Sequence, residues 1–522
     1  MPTFKIKLLG GLDRLLAATL VAVLVGSALG FGGAVWWGRP LVVALTLAAS
    51  LAWLARVAVD GRWRMLKSPL GLLGALALTL GVVQLLPVPA SLVEKVSPRS
   101  VAVNSFGVIP ERATADDPSL AMPDPFLARC PITLDRPATL RWLVGATACL
   151  ALFWVASHYS DRLRHSQVIW GSVVAAFFVN AVLATVQVAN RSEGLYGFIQ
   201  PGSGPAWAPT LDDALEATSA TVLRPVGDEP KDGRPALAAA RPERPFLVGT
   251  LMGGPGAFLA LASLALPLAF GLFLQAMAPR GSREGLMARL RDSGQGSKVL
   301  LMLGLLVAGS VLVGIMAGPW PSVPFALALA AVGLPGTWSS GLRKTGLATA
   351  FLLLVALGVG IVLGNPAGEG DTFRVGLPRI DRDGAKRTWA ESVSILKDFP
   401  VAGIGFGTFA TIHPYYKGRD GAQGTAMSSL LQWVIESGAI GLGLMGMAGL
   451  WCLFKLPGAI ARVGSADRAL AFGLVGSLGC FVAFSAIHWT VELAAVALAA
   501  SAIAGTGNRW LAGGTDLFVD RG

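Results

Sequence analysis

Between two long apolar runs, residues 365–427 gather the side chains best suited to chemistry on an anionic, oxygen-rich substrate. Arg374, Arg379, Arg382, Lys386 and Arg387 supply a cluster of cations, and a guanidinium fork matches phosphate oxygens two at a time. His413 is a candidate general base or acceptor-positioning group, because an unperturbed imidazole titrates near neutral pH. Tyr415 and Tyr416 suit the headgroup level and are candidate substrate contacts. Asp381, Asp383 and Glu391 lie among the cations, so salt bridges and lipid headgroups remain the competing use of the same charges. Outside this interval, His488 and Glu492 are four apart, which would put both on one face of the last apolar helix. Ionisable groups at such depth are costly and are usually paired or functional.

Local patterning says how these groups would be held. From Arg387 to Phe399, Trp389, Val393, Leu396 and Phe399 recur near helical spacing, which predicts an amphipathic helix ending at Pro400. Gly403, Gly405 and Gly407 then predict a sharp turn. The GxGxG run is no nucleotide loop, since it follows a helix and lacks a Lys-Ser/Thr pair or a βα unit.

The surrounding elements read as membrane spans. The 522 residues are 53% hydrophobic and 14% charged, where soluble domains carry about 25% charge. Apolar stretches of about 20 residues recur, long enough to cross a bilayer as helices. The expected fold is all-α and polytopic, with about twelve spans near 15–36, 40–58, 69–89, 138–156, 167–189, 248–277, 299–317, 321–338, 345–364, 428–454, 469–486 and 489–507. The N-terminal run is too long for a signal peptide and reads as a retained first span.

The net charge of +11 is spread through short segments between spans. That distribution fits orientation signals and excludes a continuous nucleic-acid face. Arg56, Arg62, Arg64 and Lys67, then Arg162, Arg164 and the basic groups of 280–298, 343–344 and 455–468, would all fall on one side. That side is the cytoplasm, with both termini. The chain then divides into 1–189 (spans with an external loop at 90–137), an external Pro/Ala-rich loop at 190–247, spans over 248–364, a large periplasmic loop over 365–427, and spans over 428–522. The 90–137 loop shows no strong helical period, and most of the Pro/Ala tract reads as poorly ordered. His158 and His165 flank a cytoplasmic loop and read as solvated. Four cysteines without a CxxC or a Cys/His cluster imply no metal and no disulfide scaffold.

One resemblance gathers several of these features. The run Arg387-Thr388-Trp389, Asp398-Phe399-Pro400-Val401-Ala402-Gly403-Ile404-Gly405-Phe406-Gly407-Thr408-Phe409 is similar to the periplasmic-loop signature of the O-antigen ligase/polymerase superfamily. So are Ser429 to Gly441 on the following helix and Gly249-Thr250-Leu251 after the earlier external loop. His488 and Glu492 resemble the late His-x-x-x-Asp element of that family. The resemblance covers about residues 190–505. It implies an inner-membrane glycosyltransferase that moves a polyprenyl-diphosphate-linked glycan to a lipid or glycan acceptor at the periplasmic face, without metal or cofactor. Arg379, Arg382, Lys386 and Arg387 would hold the diphosphate, with His413 as base, and Tyr415, Tyr416, His488 and Glu492 would line the site.

The pattern is broken at three points. The family's His-Asn pair falls at Met427-Ser428, its Arg falls at Ala385, and its Asn-x-Asn reads Gly253-Gly254-Pro255. Two expectations follow: the base has moved to another group, His413, or the chain is a non-catalytic partner of other polysaccharide-assembly proteins. A secondary transporter would show paired broken helices and midplane polar sites, and neither is visible.

Overall fold

A computed structural model describes residues 2–30, 38–61, 66, 68–97, 99–101, 103, 129–161, 163–190, 254–277, 293–333, 340–364, 382–416, 426, 428–464, 467–488 and 494–513. The helices are α1 (Pro2–Leu29), α2 (Gly38–Asp60), α3 (Leu70–Leu85), α4 (Ala90–Val96), α5 (Arg136–Tyr159), α6 (Leu163–Asn190), α7 (Gly254–Met277), α8 (Ser293–Ala317), α9 (Val323–Gly333), α10 (Ser340–Gly364), α11 (Arg382–Asp398), α12 (Phe409–Tyr416), α13 (Ser429–Arg462), α14 (Arg468–Ile487) and α15 (Ala494–Leu511).

A helix falls in each of the twelve expected windows, but among the described residues nine are long and apolar enough to cross a membrane: α1, α2, α5, α6, α7, α8, α10, α13 and α14. The 11 described residues of α9 span about 16 Å, against a hydrocarbon core of about 30 Å, and residues 334–339 after them lie outside the described ones. The architecture is therefore an all-α polytopic membrane bundle.

Packing grades the helices from centre to rim. The apolar window of α7 is 94% buried and that of α13 only 6%, so α7 is the axis and α13 lies at the edge. α7 packs most extensively against α14, and α5 against α15. α8 and α10 approach backbone to backbone at Gly314 and Gly360, where a Cβ would strike Leu357 O and Val311 O. Small residues at a membrane helix contact allow that approach.

The bundle has two chemically different ends. At one, Arg56 of α2 pairs with Asp13 of α1 at 2.5 Å and with Asp161 at 3.3 Å, and His165 meets Asp161 at 2.6 Å. Burial pushes the Asp161 carboxyl up, but the bonds and charges of His165 and Arg56 outweigh it and leave the group below its usual range. Ser68 bonds to Asn508 at the same end, tying the start of α3 to α15. At the other end, the C-terminus of α3, the start of α5 and the start of α13 meet the α11–α12 segment.

Several expectations are corrected. His158 and His165 are not solvated: the first stacks on Trp154 and the second is wedged against Tyr159. The 90–137 segment is not wholly irregular, because Val88–Pro89 (β1) pairs antiparallel with Arg129–Cys130 (β2) beside α4. The last helix is described from Ala494, residues 489–493 lying outside the described ones, and His488 caps the end of α14 in an extended conformation. His488 itself therefore stands outside helical geometry, and the Glu492 half of that expectation lies outside the described residues. Arg374, Arg379, Asp381 and Glu492, with residues 191–253, lie outside the described residues.

Candidate functional site

α11 forms where the amphipathic pattern predicts, one turn longer at its start, and stops at Asp398 before Pro400. Thr388, Ser392, Ile395 and Phe399 make its buried strip, at intervals of four, three and four. The chain then turns through Gly403, Gly405 and Gly407, all at positive φ (69°, 104° and 75°), as only glycine adopts cheaply. α12 folds back on α11. Ile395, Phe399, Ile404, Phe409, Ile412, Ala426 and Ile435 form a small core beneath the hairpin, separate from that of the bundle.

The turn is fastened to the membrane helices by two polar side chains. Glu436 of α13 is 3% exposed. Its carboxylate accepts from Gly407 N at 2.9 Å and Phe409 N at 3.3 Å, and from the Gln432 amide at 3.2 Å. Gln84, fully buried at the end of α3, donates to Ala402 O at 2.8 Å and Glu436 O at 3.0 Å, and accepts from Phe406 N at 3.1 Å. Turn backbone that cannot reach water is thereby satisfied by groups on two other elements. Asp135, the N-cap of α5, bonds both Ala138 N and the Thr411 hydroxyl of α12. Phe406 lies flat on Trp142 at 3.8 Å.

α13 is bent to receive the turn. Gly438 inside it has φ 64°, and the kink frees Ala439 N and Ile440 N to donate to Pro400 O and Val401 O. A Cβ at Gly438 would meet Val401 O, and one at Gly403 would meet the Glu436 backbone.

Two side-chain pairs close the α11–α12 hairpin. His413 Nε2 lies 3.1 Å from Glu391 Oε2, and the Tyr416 hydroxyl donates to Asp398 at 2.6 Å. Glu391 and Asp398 are seven apart and His413 and Tyr416 three apart, so each pair of partners shares a face of its helix. Arg99 approaches Asp398 at 3.8 Å. Burial and the Asp398 carboxylate push the Tyr416 phenol well above its usual range, keeping it a donor. Tyr416→Phe is expected to lower stability by about 1 kcal/mol, read as a drop in the thermal midpoint of the detergent-solubilised protein.

The proposed site residues thus divide. His413 is 0% exposed, stacked on Phe409 and held by Glu391, rather than open to a substrate. Tyr416 is a hairpin tie, and Tyr415 neighbours it half-buried. Arg382, Lys386 and Arg387 occupy the first two turns of α11, where only the backbone is described. His488 stands at the end of α14, its ring over Gly256 at the start of α7 and its carbonyl accepting from Ser429 N. Ser428 is consumed as the α13 N-cap, accepting from Leu431 N at 3.2 Å.

Sequence reasoning missed two groups in α11. The Trp389 indole N–H and the Ser392 hydroxyl are buried and, among the described residues, have no hydrogen-bond partner. They are three apart in the helix that carries Arg382, Lys386 and Arg387. An unmet buried donor costs about 1–3 kcal/mol, so these two polar groups within one turn stand out among the described residues of the hairpin. Gln84 and Glu436 were also overlooked as fasteners, although Gln84 is a lone polar side chain and Glu436 the one acidic group in their apolar runs, which is itself a signal.

No protein-family model matches the chain, and no curated protein matches it.

Proposed function

We propose that the chain is an inner-membrane glycosyltransferase of the lipid-linked-glycan ligase or polymerase kind, with the α11–α12 hairpin on the periplasmic face and both termini in the cytoplasm. The observation that carries the reading is the pair of unmet donors, Trp389 Nε1 and Ser392 Oγ, on the helix bearing Arg382, Lys386 and Arg387. A diphosphate offers the acceptor oxygens and the negative charge that this set requires. The order of residues from Arg387 to Gly441, similar to the ligase/polymerase superfamily, supports the same substrate class. The orientation rests on the one-sided distribution of Lys and Arg between spans.

In this reading the donor glycan is already activated as a diphosphate ester. The protein has to position it, spread the charge of the departing diphosphate and deprotonate an acceptor hydroxyl. Arg387, Lys386 and Arg382, with Arg379, take the charge. Trp389 and Ser392 fix two phosphate oxygens, which requires the buried strip of α11 to open, since Ser392 is fully buried. His413 is the base, which requires α12 to move off Glu391 before an acceptor reaches the ring.

A second reading is a non-catalytic partner in cell-surface polysaccharide assembly. It is favoured by the burial of His413 and by the use of Ser428 as a helix cap where the family carries its His-Asn pair.

Binding of a polyprenyl diphosphate to the purified full-length protein tests the anion site. Trp389→Phe and Ser392→Ala are each expected to weaken binding about tenfold while leaving the thermal midpoint of the unliganded protein unchanged or raised. Unchanged affinity in both variants would remove the phosphate role of these donors.

A further inference from the structure

We infer that the hairpin end of α5 carries a binding surface for the phosphate headgroup of an acidic membrane lipid. Arg129 of β2 and Arg136 and Arg141 of α5 are exposed, and none of the three has an ion pair or a hydrogen bond among the described residues. They stand where α5 meets the hairpin, away from the basic segments that would orient the chain, so topology gives no reason for them. The charge of Arg136 works against the burial that pushes the Cys130 thiol up. Arg136 therefore stands close to β2, the strand that carries Arg129.

Charge and polarity select the occupant. Asp135, which precedes Arg136 and bonds Ala138 N and the Thr411 hydroxyl, contributes one negative charge, and the three arginines outnumber it. Exposed Glu94 on α4 is matched by exposed Lys95 beside it, and Asp398 by Arg99 at 3.8 Å. The field at the start of α5 is therefore positive with these acids counted, and it attracts an anion. Cations and apolar residues share one side of the helix. Arg136, Leu140 and Val144 are spaced by four, Arg141 stands three before Val144, and Leu140 and Val144 are exposed by 58% and 49%. The 24 residues of α5 extend about 36 Å, one turn more than a hydrocarbon core of about 30 Å. Arg136 then lies at headgroup level, and Arg141 reaches that level by extending its stem along the helix. An anion held there with apolar chains would cover Leu140 and Val144, which a free anion would leave bare. Phosphate is the anion whose oxygens a guanidinium fork matches.

The full-length protein in detergent, titrated with phosphatidylglycerol or phosphatidylcholine and read by native mass spectrometry, tests the surface. The first phosphatidylglycerol on the wild type is expected to be held about tenfold more tightly than the first phosphatidylcholine. The double variant Arg136→Gln/Arg141→Gln is expected to lose that preference with its thermal midpoint unchanged. Arg136→Lys/Arg141→Lys keeps the charge and is expected to keep most of the preference. Inorganic phosphate alone is expected not to displace the lipid. Equal retention of the two lipids by the wild type would overturn the inference, as would a full preference in the glutamine variant. Displacement by inorganic phosphate would assign the arginines to a free anion, and a lowered midpoint in both variants would make them structural; either result contradicts it.

Discussion

Glu436→Ala is expected to destabilise the protein by roughly 3–5 kcal/mol, enough to leave the α11–α12 hairpin detached from the bundle. The carboxylate takes two backbone N–H groups of the glycine turn, Gly407 and Phe409, and the Gln432 amide, all within a site closed to water. Alanine removes every one of these acceptors at once and leaves the donors buried. Glu436→Gln keeps one carbonyl oxygen but turns an amide N–H toward a backbone N–H, so it should recover only part of the loss. Thermal unfolding in detergent, with limited proteolysis between residues 398 and 409, separates the outcomes. A midpoint within error of wild type for Glu436→Ala would mean that the turn is held elsewhere.

Gly403→Ala should be comparably damaging, for a different reason. Its φ of 69° costs a residue with a Cβ about 1–2 kcal/mol. The new methyl group would also collide with the Glu436 backbone, which belongs to a helix and cannot yield locally. Gly438→Ala faces the same pair of penalties from the opposite wall, since its Cβ would strike Val401 O. The two glycines allow one backbone to sit on another, so the double variant should be less than additive: either change alone separates the turn from α13. Folded yield and thermal midpoint of the two single variants and the double one form the cycle that measures this. Strict additivity would argue that the turn and the kink are independent.

The sequence made some of this arrangement legible and concealed the rest for identifiable reasons. Pro400 and the three glycines announce their own backbone geometry, because φ restriction and φ freedom are local properties. The apolar windows locate the nine helices that, among the described residues, are long and apolar enough to cross a membrane, because length and hydropathy are also local. Helix extent is another matter. Of the 321–338 window, only the 11 helical residues Val323–Gly333 of α9 are described beyond its opening turn.

The fastening of the hairpin is non-local. Gln84 reaches Ala402 across 318 positions, and nothing in either neighbourhood names the other. What the sequence offers is only that Gln84 and Glu436 are isolated polar groups in apolar runs, where an unpaired group would be costly. His413 illustrates the converse error. Its type suggested a base, while its placement between Phe409 and Glu391 depends on how α12 folds back, which periodicity does not specify. His488 failed as a helix-face argument because the chain leaves helical geometry at that residue.

The central claim is that the cationic start of α11, with the Trp389 and Ser392 donors, binds the diphosphate of a lipid-linked glycan and supports its transfer. The direct measurement is glycan transfer by the purified full-length protein, supplied with a polyprenyl-diphosphate-linked glycan and a lipid or glycan acceptor. The expected result is acceptor-dependent product from wild type and a loss of about 10²-fold or more in Arg387→Ala, the magnitude typical of removing one stabilising group from a developing charge. Arg468→Gln, at the opposite end of the bundle, should retain turnover. No product from a wild type that binds the donor, or full turnover by Arg387→Ala, would contradict the account.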